Sequence, residues 1–247
     1  MPQQVQNKME QPIKKPKRGF FLLPNLLTTT ALLAGFYAIL AATDGEFVIA
    51  TVAIFIAMVM DTLDGRVARL TNTQTEFGAQ YDSLSDLVGF GLAPALVGYM
   101  GIIKDLGKIG WAVAFLYVAS AALRLARFNV QKSIVDKTYF RGLPSPAAAG
   151  LITSFVALIY MLEIKNSFTT VTLAGLTAFA GVCMVSAFPY YSFKEINWRE
   201  RVPFIMIWAI VLIFVGISLD PPIVVFTGFF VYALSGPVLW IWRRYKK

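Results

Sequence analysis

The uncharged run Val48–Met60 (VIATVAIFIAMVM) leads directly into Asp61-Thr62-Leu63-Asp64-Gly65-Arg66-Val67-Ala68-Arg69. Eight residues later the chain reads Gly78-Ala79-Gln80-Tyr81-Asp82-Ser83-Leu84-Ser85-Asp86. As a helix rising ~1.5 Å per residue, the apolar run covers roughly 20 Å, which sets Asp61 well inside a bilayer but toward one face of it. Asp61, Asp64, Gly65 and Ala68 stand at i, i+3, i+4 and i+7, a single stripe on one helix face, and Arg69 lies one residue off it. Gly78, Asp82 and Asp86 are spaced by four, and Gly89 and Ala93 continue that stripe in small residues. Two helices joined by so short a loop run antiparallel, so depth pairs Asp61 with Asp86 and Asp64 with Asp82. The expectation is four carboxylates converging in one cleft.

The rest of the chain fits a membrane setting. Of 247 residues, 57% are hydrophobic and only 15% charged, too few to cover a soluble domain of this length. Apolar stretches at about 20–43, 46–70, 78–103, 109–130, 143–162, 168–191, 202–219 and 222–242 are each near the length needed to cross a bilayer. The first is not expected to be a cleaved signal peptide, since no convincing small-residue cleavage site follows it. Residues 1–19 form a basic arm broken by Pro2, Pro12 and Pro16, and 20–247 read as a single polytopic catalytic domain.

With the N-terminus inside, all 22 basic residues except Lys104, Lys108 and Lys165 fall on the cytoplasmic side. That asymmetry predicts cytoplasmic termini and a cytoplasmic-facing cleft in the plasma (inner) membrane. The net charge of +8 on that face suits anionic membrane lipids rather than nucleic acid. The chain has no histidine, and its one cysteine, Cys183, lies in an apolar run. Histidine-based triads, phosphohistidine intermediates, His-rich zinc sites and disulfides are therefore excluded.

Four ionised aspartates at this depth need compensation, because each charge near the bilayer centre costs about 3 kcal/mol on insertion scales and the carboxylates repel one another. Two divalent cations would balance them, and oxygen-only ligands favour Mg2+ or Mn2+, with Ca2+ also compatible, over zinc or copper. Gly65, Ala68 and Gly78 leave room beside the carboxylates for a nucleotide pyrophosphate, and Arg69 is within reach of phosphate.

The pattern D-x-x-D-G-x-x-A-R, eight residues, G-x-x-x-D-x-x-x-D resembles the signature of the CDP-alcohol phosphotransferases at every defined position, from Asp61 to Asp86. The resemblance implies an all-α integral membrane protein of about eight transmembrane helices, a six-helix family core plus two C-terminal helices. It implies that Asp61, Asp64 and Asp82 hold divalent metal together with the CDP group. Asp86 would complete the metal site and act as general base. Asn25 and Thr28, in the Pro24-Asn25-Leu26-Leu27-Thr28 opening of the first span, would join Gly65, Ala68, Arg69 and Gly78 around the CDP. A homodimer is implied in the same way.

Two further segments narrow the resemblance to the branch that uses serine. These are Leu123-Arg124-Leu125-Ala126-Arg127-Phe128-Asn129 and Phe140-Arg141-Gly142-Leu143-Pro144-Ser145-Pro146. They bring Arg124, Arg127, Asn129, Arg141 and Ser145 forward as contacts to serine or to lipid phosphate. A guanidinium suits a carboxylate because it can grip both oxygens at once. The implied reaction joins CDP-diacylglycerol and L-serine, releasing CMP. Glycerol-3-phosphate or inositol phosphate as acceptor is the nearest alternative. A cation transporter is another, but it would spread its acids through the bilayer rather than cluster them at one end.

Overall fold

A computed structural model describes residues 22–131, 139–191 and 220–246, with Gly216 and Ser218. The basic arm 1–19 and, apart from Gly216 and Ser218, the span expected at 202–219 lie outside the described residues. The order is α1 (Leu22–Thr43), α2 (Phe47–Leu70), α3 (Glu76–Asp86), a π-helical turn (Leu87–Leu92) and α4 (Ala93–Gly101). A short 3-10 turn (Ile103–Leu106) leads to α5 (Lys108–Gln131), β1 (Tyr139–Arg141), α6 (Ser145–Met161), α7 (Ser167–Val185), β2 (Pro189–Tyr191) and α8 (Pro221–Tyr245). Six helices among the described residues are long and apolar enough to cross a membrane, with α3, the π turn and α4 acting as one; α6 is shorter. The protein is an all-α integral membrane protein, and its spans pack on one another through small residues.

Alanines dominate the core: Ala38, Ala50, Ala57, Ala93, Ala121, Ala148, Ala149 and Ala180 are fully buried. Between membrane helices there is no water to squeeze out, so close van der Waals approach of small side chains provides much of the attraction. The tightest approach joins α1 to the π turn. A Cβ on Gly35 would lie 2.7 Å from the Gly89 Cα, while Gly89 in turn faces the Ala57 methyl of α2. Three backbones thus meet one helical turn below the aspartates, which fixes how closely α2 and α3 stand at the cleft.

Two boundaries depart from the sequence expectation. The third span begins at Glu76 rather than near Gly78, because Thr75 caps it: its hydroxyl accepts the Gly78 N–H at 2.9 Å. The sixth span does not continue to 191. It ends at Val185, where Ser186 turns extended (φ −61°, ψ 166°) and its hydroxyl donates to the Cys183 carbonyl at 2.8 Å. Beyond it Pro189–Tyr191 pairs antiparallel with Tyr139–Arg141. This small sheet ties the entry to α6 to the exit of α7. Gly142 makes the corner between β1 and α6 at φ +85°, and a side chain there would run into the Met184 carbonyl oxygen, so only glycine fits.

Candidate active site

Asp61 and Asp64 come from the last turns of α2, Asp82 and Asp86 from the facing side of α3. Carboxylate oxygens of Asp61, Asp64 and Asp82 all lie within 4.8 Å of one another, with Asp64 buried and the other two half-buried. Asp86 is not one of that triplet. It sits alongside, within hydrogen-bonding reach of Asp61 and in the field of Asp82. The expected pairing of Asp61 with Asp86 by depth therefore holds, but the cluster is three carboxylates plus a neighbour rather than four equivalent ones.

α1 supplies the support. The Thr28 hydroxyl donates to Asp64 Oδ2 at 2.6 Å, a charge-assisted bond that fixes one carboxylate oxygen. Thr28 is fixed in turn by Ser85, whose hydroxyl donates to the Thr28 carbonyl at 3.2 Å. Asn25 Oδ1 stands 3.5 Å from where a Gly78 Cβ would be, so Asn25 and Gly78 share one wall of the cleft. Above Gly65 the Arg69 guanidinium lies 3.5 Å from the corresponding Cβ position, and it interacts electrostatically with Asp64. Ala68 is half-buried on the same face, its carbonyl accepting the Thr73 N–H at 3.0 Å as the chain turns toward α3. Thr28, Gly65 and Arg69 therefore adjoin Asp64, and Asn25 and Gly78 adjoin each other.

The five residues expected around an acceptor are not gathered in one place. Arg124 and Ser145 meet, Arg124 Nη1 donating to Ser145 Oγ at 2.8 Å, and Asp86 is the strongest charge near that guanidinium. Arg127 instead donates to the Val185 carbonyl at 3.3 Å, binding an otherwise orphaned carbonyl at the end of α7. Asn129 turns to α3, where its amide donates to Ser83 Oγ at 2.9 Å. Arg141 is exposed on β1. Arg124 and Arg127 share a face of α5 at i and i+3 but donate to different elements, α6 and the end of α7, and Asn129 falls on another face, so nearness in sequence did not bring them to one pocket.

Some neighbours were not anticipated from the sequence. Tyr81 meets Thr29 across 2.9 Å, joining α3 to α1. Tyr117 donates to the Phe90 carbonyl at 2.9 Å and faces Arg124. The π turn begins immediately after Asp86, its Ala93 N–H reaching the Val88 carbonyl in an i→i+5 bond. Such turns often accompany functional sites, and Gly89 and Gly91 within it were the available signal.

The donor set tests well against a divalent cation. Three carboxylates within 4.8 Å, one buried, offer hard oxygen ligands and no sulfur or imidazole, as Mg2+ or Mn2+ require.

Comparisons agree with this geometry. The family model for CDP-alcohol phosphatidyltransferase matches residues 21–184, from the first expected core span into the sixth, and stops before α8. The CDP-diacylglycerol–serine O-phosphatidyltransferase of Helicobacter pylori strain J99 is 36% identical over 232 residues, 94% of this chain and 96% of that protein. The archaetidylserine synthase of Methanothermobacter thermautotrophicus is 35% identical over 174 residues, 70% of each chain. With its signature aspartates assembled across α2 and α3 and residues 21–184 matched by the family model, the chain belongs to the CDP-alcohol phosphatidyltransferase family.

Proposed function

We propose that the protein transfers the phosphatidyl group of CDP-diacylglycerol to the hydroxyl of L-serine, giving phosphatidylserine and CMP. The observation that carries this reading is the placement of Asp86 between the Asp61–Asp64–Asp82 triplet and the Arg124–Ser145 pair. The near full-length similarity to a serine enzyme supports the acceptor. Two divalent cations, Mg2+ or Mn2+ with Ca2+ also compatible, would be held by Asp61, Asp64 and Asp82, with Asp86 at the edge of the set. When bound, they supply charge neutralisation of the pyrophosphate and of departing CMP.

The chain's own groups do the rest. Asn25, Gly78 and the Gly65–Ala68 face seat the CDP, and Arg69 meets its phosphates. Arg124 grips the serine carboxylate beside Ser145, which turns the serine hydroxyl toward Asp86. Asp86 accepts the hydroxyl proton as the oxygen bonds to the phosphorus carrying diacylglycerol. The bond from that phosphorus to CMP breaks, and CMP leaves with the electron pair. Direct displacement needs no covalent enzyme intermediate.

The same reading puts the cleft and both termini on the cytoplasmic side of the plasma membrane. It puts the basic face against anionic lipids, and two copies together as a homodimer. The experiment is an assay of purified protein with CDP-diacylglycerol and serine, glycerol-3-phosphate or inositol phosphate, following CMP and the lipid product. Phosphatidylserine as the principal product is expected; a preferred phosphate-bearing acceptor would overturn the serine assignment.

A further inference from the structure

The helix that carries Asp82 and Asp86 has little apolar packing to hold it. α3 reads Glu76-Phe77-Gly78-Ala79-Gln80-Tyr81-Asp82-Ser83-Leu84-Ser85-Asp86, and Ser85 is its single buried residue. The well-buried α4 reaches it only through the π turn. A helix without a buried apolar stripe has nothing hydrophobic to fix its rotation about its own axis. Hydrogen bonds take that part, and they fall on two stripes separate from the aspartates. Tyr81 and Ser85, at i and i+4, face α1: the Tyr81 and Thr29 hydroxyls meet at 2.9 Å, and the Ser85 hydroxyl donates to the Thr28 carbonyl at 3.2 Å. Gln80 and Ser83, at i and i+3, face α5. There Asn129 Nδ2 donates to Ser83 Oγ at 2.9 Å and reaches Gln80 Oε1 at 3.5 Å.

Ser83 follows Asp82 directly and precedes Asp86 by three residues. Its own hydroxyl donates to the Ala79 carbonyl at 3.0 Å, which leaves its lone pairs to the Asn129 amide. Asn129 Oδ1 lies 3.2 Å from the same hydroxyl oxygen, so the two side chains stay joined whichever way that proton turns. Side chains of one helix move together, so a rotation of α3 that breaks this contact also swings both carboxylates. We infer that Asn129 is a positioning residue: through Ser83 it fixes the rotation of α3, and with it the 4.8 Å approach of Asp82 to Asp61 and Asp64, an inference that rests on the metal and base roles given under Proposed function. It deepens them by moving Asn129 from the acceptor, where its motif suggested a contact, to the support of the metal-binding carboxylates.

The test uses the full-length, metal-stripped protein in detergent, with two readouts. One needs no turnover: the dissociation constant of Mn2+ alone, by calorimetry. The other is steady-state kinetics with CDP-diacylglycerol and L-serine at saturating Mn2+. In Asn129→Ala the Mn2+ dissociation constant rises about ten-fold, the lower end for losing outer support of a metal ligand, while kcat falls and KM for serine is unchanged. Ser83→Ala gives the same profile, and the double variant is no worse than either single one, because both act through one contact. Ser83→Thr keeps the hydroxyl and keeps the wild-type Mn2+ affinity. Mere loss of folded protein would reduce the number of Mn2+ sites without weakening those that remain, and that outcome overturns the inference. So do unlike profiles in Asn129→Ala and Ser83→Ala, losses that multiply in the double variant, or a defect of Asn129→Ala confined to the serine KM, which would return Asn129 to the acceptor. A wild-type protein that binds no Mn2+ takes the metal reading and this inference down together. If the wild-type protein binds Mn2+ and Asn129→Ala binds it equally well, only the inference falls.

Discussion

At the residue scale, the aspartates divide by what surrounds them. Asp64 is buried and held by Thr28, Asp61 and Asp82 are half-buried beside it, and Asp86 alone stands between this triplet and Arg124. Asp61→Asn or Asp64→Asn is expected to weaken donor binding together with rate, as read by calorimetry with a CDP-lipid. Asp86→Asn keeps size and one acceptor oxygen, so the donor still binds while phosphatidylserine formation drops by about 10²-fold or more, the usual cost of losing a positioned base. Near-normal turnover in that variant would remove Asp86 from the base role. Thr28→Val separates support from ligation. It leaves every carboxylate in place but deletes the 2.6 Å bond to Asp64, a charge-assisted bond on the order of 2 kcal/mol. The cation concentration for half-maximal activity is expected to rise at least ten-fold; an unmoved titration would show that Asp64 needs no such anchor. Spacing made the aspartates legible, because i, i+4 periodicity is a property of the sequence alone. The acceptor residues were less legible: Arg127, Asn129 and Arg141 point at α7, α3 and open surroundings, and helical phase across three elements is not written in any local motif.

At the scale of elements, the cleft depends on how closely α1, α2 and the turn after α3 approach. Hydropathy located the spans because a bilayer demands long apolar runs, and it overran α7 because Ser186-Ala187-Phe188-Pro189 is still apolar enough to look continuous. It gave no hint of the π turn, for which Gly89 and Gly91 were the local signal. Gly35→Ala tests that packing. In an open helix the change would gain about 0.5–1 kcal/mol from helix propensity. Here the new methyl would stand 2.7 Å from the Gly89 Cα, backbone that has no rotamer to yield. Overpacking of this kind costs about 1–3 kcal/mol, so the clash wins. The thermal midpoint in detergent is expected to fall and activity with it, since α1 carries Thr28 and Asn25. A stabilised or unchanged Gly35→Ala protein would mean that α1 and the π turn slide apart freely, and that their contact does not set the cleft.

For the whole molecule, charge at the cleft is the quantity that must balance. Asp61, Asp64 and Asp82 hold carboxylate oxygens within 4.8 Å of one another in the body of an apolar bundle. At an effective dielectric constant of 20, each pair of full charges so placed repels by about 3 kcal/mol. Arg69 is the nearby cation on the same helix, and it is exposed, so it offsets only part of this. The folded protein therefore gains from a divalent cation, while the unfolded chain, with its carboxylates apart, has nothing comparable to offer one. Binding that favours the folded state raises its stability by about 2.7 kcal/mol at a hundred times the dissociation constant. Two measurements on the same EDTA-stripped, detergent-solubilised sample should then move together. The thermal midpoint should rise on adding Mn2+ or Mg2+, and phosphatidylserine formation, absent in excess EDTA, should return over the same concentration range. Asp61→Asn should blunt both responses, whereas Asp86→Asn should keep most of the thermal shift without recovering turnover. Thermal stabilisation without activity in the wild-type protein would mean that the triplet holds a structural cation and the chemistry lies elsewhere. Full turnover after elemental analysis confirms metal removal would mean that the carboxylates are neutralised by protons instead.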